Sequence, residues 1–178
     1  RRDGAFDEVG LMARLGEGPY PARNPVQNRA DILAQIAACE TGAQNIRAMY
    51  SEFGSATVNA YVGFVQSNAE ENVRQVIDRL HDASFGVDMD CGALIRVALT
   101  VDRTARCLNV DFTGTSAQMD NNFNAPSAVC RAAVLYVFRC MVDADIPMNE
   151  GCLKPINIEI PDACLLAPEP PAAVVAGN

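Results

Sequence analysis

The chain is predicted to be α+β: a long antiparallel helical hairpin, then a small, mainly antiparallel sheet with a buried helix. Three observations predict it. Apolar residues recur at steps of three and four across residues 28–80. The period then drops to two after residue 84. Within the second half, the stretch 126–142 is apolar nearly all round. The first pattern is the stripe of an amphipathic helix, the second a half-buried strand, the third a helix enclosed on all sides.

Residues 1–26 carry Gly4, Gly10, Gly16, Gly18, Pro19, Pro21 and Pro25 and hold no period, so they are expected to form an irregular leading segment with a short helical turn near residues 9–15. Residues 27–82 form the hairpin. Its first arm runs along Ile32, Ile36, Cys39, Ala43, Ile46, Tyr50 and Phe53, with Asn28 as N-cap and Gly54 as the positive-φ terminator. Its second arm starts at Ser55 and turns Val58, Val62, Val65, Ala69, Val76 and Leu80 inward, with Val73 and Ile77 beside them. Glu70 and Arg74 stand in the favourable i, i+4 order.

Residues 83–178 form the α+β segment, which is expected to continue beyond this sequence. Ile95, Val97, Leu99 and Val101 alternate with polar or small residues, and after a polar link so do Leu108, Val110 and Phe112. This is a hairpin with one solvated side. Pro126 opens the apolar helix, where its missing N–H costs nothing. Ile156, Ile158 and Ile160 mark one more strand in a Pro-punctuated end. The sequence starts at Arg1-Arg2 and stops in the apolar run Val174-Val175-Ala176-Gly177-Asn178, from which we expect a piece of a longer polypeptide.

Composition narrows the chemistry. The 178 residues carry a net charge of −8, which argues against nucleic acid and anionic membranes as partners. No apolar run approaches the roughly 20 residues of a membrane helix. A single histidine, His81, excludes histidine-rich metal sites and leaves few options for histidine-based triads. Seven cysteines, none within ten residues of the next, form no C-x-x-C pair. They are expected to be small buried apolar residues in a reducing, cytoplasmic compartment, with Cys152 and Cys91 the two near polar candidates. There is no G-x-x-x-x-G-K phosphate loop.

Polar signal concentrates at Asp88-Met89-Asp90, at Asp111-Phe112-Thr113-Gly114-Thr115, at residues 121–126 and at Asn149-Glu150-Gly151. Two acids two apart on a strand share one side and can hold magnesium or divide acid and base roles. Solvation is their commoner fate. The asparagines before the apolar helix lie where free N–H groups bind anions, or they simply satisfy turns and caps.

DFTGT at 111–115, NFNAP at 122–126, IPMNEGCLKP at 146–155 and PPAAVVAGN at 170–178 occur in that order, preceded by NPVQNRADILAQIAACETGAQNI at 24–46. Together these resemble the hydantoinase B family, which includes the C-terminal half of 5-oxoprolinase and the large subunits of acetone and acetophenone carboxylases. The resemblance implies the B-type part of an ATP-dependent cyclic-amide hydrolase. An A-type ATPase partner, subunit or domain, would use ATP and Mg2+ to activate the ring. This part would complete hydrolysis, within an oligomer. Asp111, Asn124 and Asn149 match the family pattern, and as catalytic residues we hypothesise that Asp111 accepts a proton or positions a water while Asn124 and Asn149 donate to the carbonyl or phosphoryl oxygens. Gly114, Asn122, Gly151 and Asn178 match as substrate-binding positions. No metal or cofactor is expected in this chain itself, and alone it is expected to be inactive. Two alternatives remain: an ATP-dependent ketone carboxylase subunit, and a non-catalytic module that docks the catalytic partner.

Overall fold

A computed structural model describes residues 6–177. It contains helices α1 (Glu8–Gly16), α2 (Pro25–Phe53) and α3 (Ser55–Ile77), then strands β1 (Ala83–Asp88), β2 (Leu94–Asp102) and β3 (Cys107–Asp111), helix α4 (Ser127–Met141), a 3-10 turn (Glu150–Leu153) and strand β4 (Ile156–Glu159). The α+β class is as expected. The chain divides into two compact units, Arg1–Asn59 and Ala60–Asn178.

In the first unit, Asp7 caps α1 by accepting from the Gly10 N–H at 2.8 Å. Arg29 on α2 grips Glu8 on α1 through two hydrogen bonds, 2.7 and 2.9 Å. Helix α2 starts one turn earlier than expected. Asn24, not Asn28, is its N-cap, with Pro25 in the first turn. The Asn28 N–H is already bonded to the Asn24 carbonyl at 3.1 Å, so Asn28 lies inside the helix. Gly54 ends α2 at φ 77, and its N–H bonds the Tyr50 carbonyl. The apolar stripe of α2 exists as spaced, yet no residue of this helix is buried, and Cys39, Ile46 and Phe53 are exposed.

In the second unit, the C-terminal half of α3 enters the core: Ala69, Val73, Val76 and Ile77 are buried, while Val62 and Val65 remain exposed. The sheet order is β1-β2-β3-β4, with β1–β2 and β2–β3 antiparallel and β3–β4 parallel. Strand β1 was not anticipated, because Ala-Ser-Phe-Gly-Val alternates only weakly and is exposed along its whole length. Its presence also corrects the reading of Asp88 and Asp90 as neighbours on one strand. Asp88 closes β1, whereas Asp90 sits in the turn made by the Met89 N–H to Ala93 carbonyl bond and by Gly92 at φ 81. Among the described residues no group of three or more His, Cys, Asp or Glu could hold a metal ion.

Register fixes which side chains share a face. Leu108 lies opposite Ile156 and Val110 opposite Ile158, while Leu99, Val97 and Ile95 lie opposite Ala83, Phe85 and Val87. These residues make the inner face, but its cover is uneven. Leu108 and Val110 are 1% and 3% exposed; Phe85 and Val87 are 68% and 48% exposed. Helix α4 contributes Cys130 and Phe138 to the core and leaves Tyr136, Val137 and Met141 exposed, so the described chain covers it on one side only.

A charged clamp binds the β2–β3 turn to the end of α3. Arg106, at φ 53, donates to Glu71 at 3.0 Å and to Asp78 at 2.6 Å. Arg74 donates to the carbonyls of Ala105 and Arg106, and Arg103 donates to those of Asp78 and Leu80. The Glu70–Arg74 pair forms at 2.6 Å as its spacing predicts.

Candidate functional site

The NFNAP loop is built around one side chain. Asn124 is fully buried, and its Oδ1 accepts from the Met119 N–H at 2.7 Å. Its Nδ2 donates to the carbonyls of Met119, Asn121 and Ala173 at 3.0, 3.0 and 2.9 Å. A buried amide must satisfy both ends or incur a penalty, and here the loop itself satisfies both. The Asn122 carbonyl accepts from the Ala176 N–H at 2.8 Å. Gly177 lies so close that a Cβ there would meet the Asn124 carbonyl oxygen at 2.3 Å. Two motifs about fifty residues apart are therefore one structure, a lip at the N-terminal end of α4. Asn178 lies outside the described residues.

Asp111 and Gly114 form a second feature. Val110 and Phe112 line the inner side, so alternation turns Asp111 to the outer face. There it pairs across the strands with Glu159, beside Asn157, which donates to Asn109 at 2.7 Å and to Glu159 at 2.9 Å. Asp111 accepts from the Thr113 N–H at 2.8 Å, and hydrogen bonds from the Thr113 side chain and backbone hold its carboxyl below the usual range. It is thus a carboxylate at neutral pH, suited to orienting water rather than donating a proton. Gly114, at φ 93, closes this turn, and a Cβ there would press on Arg96 at 3.0 Å.

The third motif sits against α3. Asn149 caps the 3-10 turn by accepting from the Gly151 N–H at 2.8 Å, and it donates to the Pro147 carbonyl at 2.9 Å. Gly151 is buried against the α3 backbone, where a Cβ would stand 2.1 Å from the Gln66 carbonyl oxygen. Asn122, Asn124 and Gly177 are thus brought together, whereas Asp111 with Gly114 and Asn149 with Gly151 occupy separate places with their own partners.

One feature was not anticipated from the residues. A cavity of about 630 Å3 opens between the inner face of β2 and α4, lined by Met89, Ile95, Val97, Phe112, Phe123, Val129, Val134 and Val137 among others, with Ala176 and Gly177 at its lip. None of the described side chains lining it is charged. Burial, with Cys164 near by, pushes the Cys130 thiol in its wall up to about 11, so it stays protonated and unreactive. The sequence signal for this cavity was the excess of apolar residues on α4 beyond what one covered face needs. Cysteine placement follows the same division. Cys130, Cys152 and Cys164 are buried; Cys39, Cys91 and Cys140 are exposed, against the expectation for Cys39 and Cys140; Cys152 is sealed rather than available.

Comparison with known proteins agrees with this architecture. Residues 2–178 match the family model described as Hydantoinase B/oxoprolinase. The chain is 41% identical to 5-oxoprolinase 1 of Arabidopsis thaliana over 98% of its own length and 16% of that protein's. It is 36% identical to the 5-oxoprolinase of Saccharomyces cerevisiae, over 99% of this chain and 15% of that one. It is 34% identical to the 5-oxoprolinase of Dictyostelium discoideum, over 99% and 14%. The crystal structure of an ATP-dependent caprolactamase from Pseudomonas jessenii shares the fold, with a TM-score of 0.69 at 19% identity, over 98% of this chain and 30% of that chain. The chain spans about 15% of the length of the curated oxoprolinases it matches.

Proposed function

The chain belongs to the hydantoinase B/oxoprolinase family, and from that membership we propose that it is part of the B-type subunit or domain of an ATP-dependent cyclic-amide hydrolase that opens 5-oxoproline or a hydantoin. The observation that carries this reading is the family match along residues 2–178, within which the NFNAP and PPAAVVAGN motifs fold onto each other through Asn124 and Gly177. A lactam carbonyl is a poor electrophile because its nitrogen shares electron density with it. Phosphorylating the oxygen gives a leaving group and an activated carbon, which accounts for ATP in such a reaction. From the family we assign ATP and Mg2+ to an A-type partner, subunit or domain, in keeping with the lack of a G-x-x-x-x-G-K sequence here. The present region would shield the intermediate and orient water, in a cytoplasmic oligomer.

Within that scheme Asp111 orients the water. The amides of Asn124 and Asn149 are already committed to their loops, so we assign them positioning roles, as we do Gly151, which is buried against α3, and give Gly114, Asn122 and Asn178 the shaping of the substrate surface. The test is ring opening of 5-oxoproline or hydantoin coupled to ADP release, with the full-length protein and its partner, before and after Asp111→Asn. A loss of at least tenfold is expected. Unchanged turnover removes Asp111 from the site, and bicarbonate-dependent consumption of a ketone replaces the hydrolase with a carboxylase. A docking module is favoured by one observation, the unburied apolar stripe of α2. It predicts intact turnover in all point variants but lost assembly on deletion of residues 28–80.

A further inference from the structure

We propose that the cavity and the uncovered inner face of β1 together seat an amphipathic helix supplied by the part of the full-length protein outside residues 1–178. This rests on the reading that the chain is one region of a longer family protein, and not on which reaction that protein performs. The geometry of the sheet carries it. A helix is about 10 Å across and strands are about 4.8 Å apart, so one helix covers about two strands. At β3 and β4 the inner face is sealed, with Leu108, Val110, Ile156 and Ile158 all buried. At β1 the same face is bare: Phe85 and Val87 stand opposite Val97 and Ile95, which line the cavity, and both are exposed. The far wall is α4, whose Val137 and Met141 also line the cavity while remaining exposed. The empty space therefore has β2 as its floor, with Val110 at the sealed end, and α4 as its wall, and the bare face of β1 continues that floor outward through the β1–β2 register, the shape left when a neighbouring helix is removed.

The chemistry of the lining selects the occupant. It has no charged side chain among the described residues, and the buried amide at the lip is fully bonded. A polar ring would leave its own N–H and C=O unpaired there, at a cost in affinity. A strand added beyond β1 would extend the sheet but leave Phe85 and Val87 bare on their face. A second copy meeting this one through the same face would present hollow to hollow. An apolar helical stripe satisfies all of these, and the curated oxoprolinases, of which this chain spans 16% and 15%, hold ample chain to provide one.

Hydroxyl-radical footprinting of the unmodified full-length protein tests this. Oxidation of Phe85, Phe123 and Met141 is expected to be at least tenfold slower than their intrinsic reactivities. Rates within twofold of intrinsic overturn the proposal, and so does protection that appears only when lactam and ATP are added, which makes the cavity a ligand site. In the same protein Val137→Glu should raise Phe85 oxidation at least fivefold, and unchanged protection again overturns it. A protein that protects these residues yet opens no lactam ring upholds the docking site and removes only the reaction.

Discussion

The β3–β4 half of the sheet and the β1–β2 half both carry apolar residues on the inner face, but only the first is buried within the described chain. Ile156 and Ile158 are buried, whereas Phe85 and Val87 lie open to solvent although their partners across the strand are equally apolar. Alternation therefore records which residues are meant to be covered, and the tertiary neighbours decide which of them this stretch of chain covers by itself.

The largest expected effect breaks or confirms that contrast directly. Leu108→Ala should cost about 2–5 kcal/mol, because a buried side chain leaves both transfer energy and a void. Val87→Ala in the same chain should cost less than about 1 kcal/mol. Urea midpoints measured side by side check the pair, and equal losses would erase the distinction between the halves. Next is Gly151→Ala on the sealed side. The added carbon collides with the Gln66 carbonyl, so the 3-10 turn must lift from α3. A cost of about 3 kcal/mol is expected from overpacking against backbone, visible in thermal unfolding. Asn124→Ala, at the boundary of the two halves, should cost about 2 kcal/mol by stranding the Met119 N–H and several carbonyls. Limited proteolysis of the 119–124 loop would report it, and unaltered cleavage would mean that water replaces the amide.

The smallest effect concerns acid. Hydrogen bonds from Arg106 hold Glu71 and Asp78 below their ordinary values of 4.5 and 3.8. A carboxylate with a depressed folded pKa stabilises the fold above its unfolded value and loses that contribution as pH falls through the folded one. The stability of the native chain should therefore decline as pH drops below about 4.5, and Arg106→Gln should flatten that decline. Both pairs are solvent-exposed, so the difference should be small and shrink further in salt. Parallel slopes in the two proteins would assign the acid sensitivity elsewhere.

Much of this architecture was legible along the chain. The β2–β3 hairpin, β4, the Pro126 start of α4 and the Glu70–Arg74 pair all follow from local spacing. The start of α2 was displaced because two asparagines could cap it and only Pro25 discriminates between them. Strand β1 escaped because Gly86 and Ser84 blur its alternation. The motif residues were found, but their local roles were not. What Asn124 does depends on the carbonyl of Ala173, and what Gly151 does depends on the backbone of Gln66, and no local pattern announces either partner.

The bond from Asn124 to Ala173 spans 49 positions, and that span sets an order of events during synthesis. The ribosome delivers the asparagine loop and all of α4 well before residues 173–177 that lock the lip. Until then the amide that organises the loop lacks one of its acceptors, and the pocket's mouth has only one jaw. Closure of this corner therefore waits for residues 173–177, and a chain that ends before them keeps a looser loop.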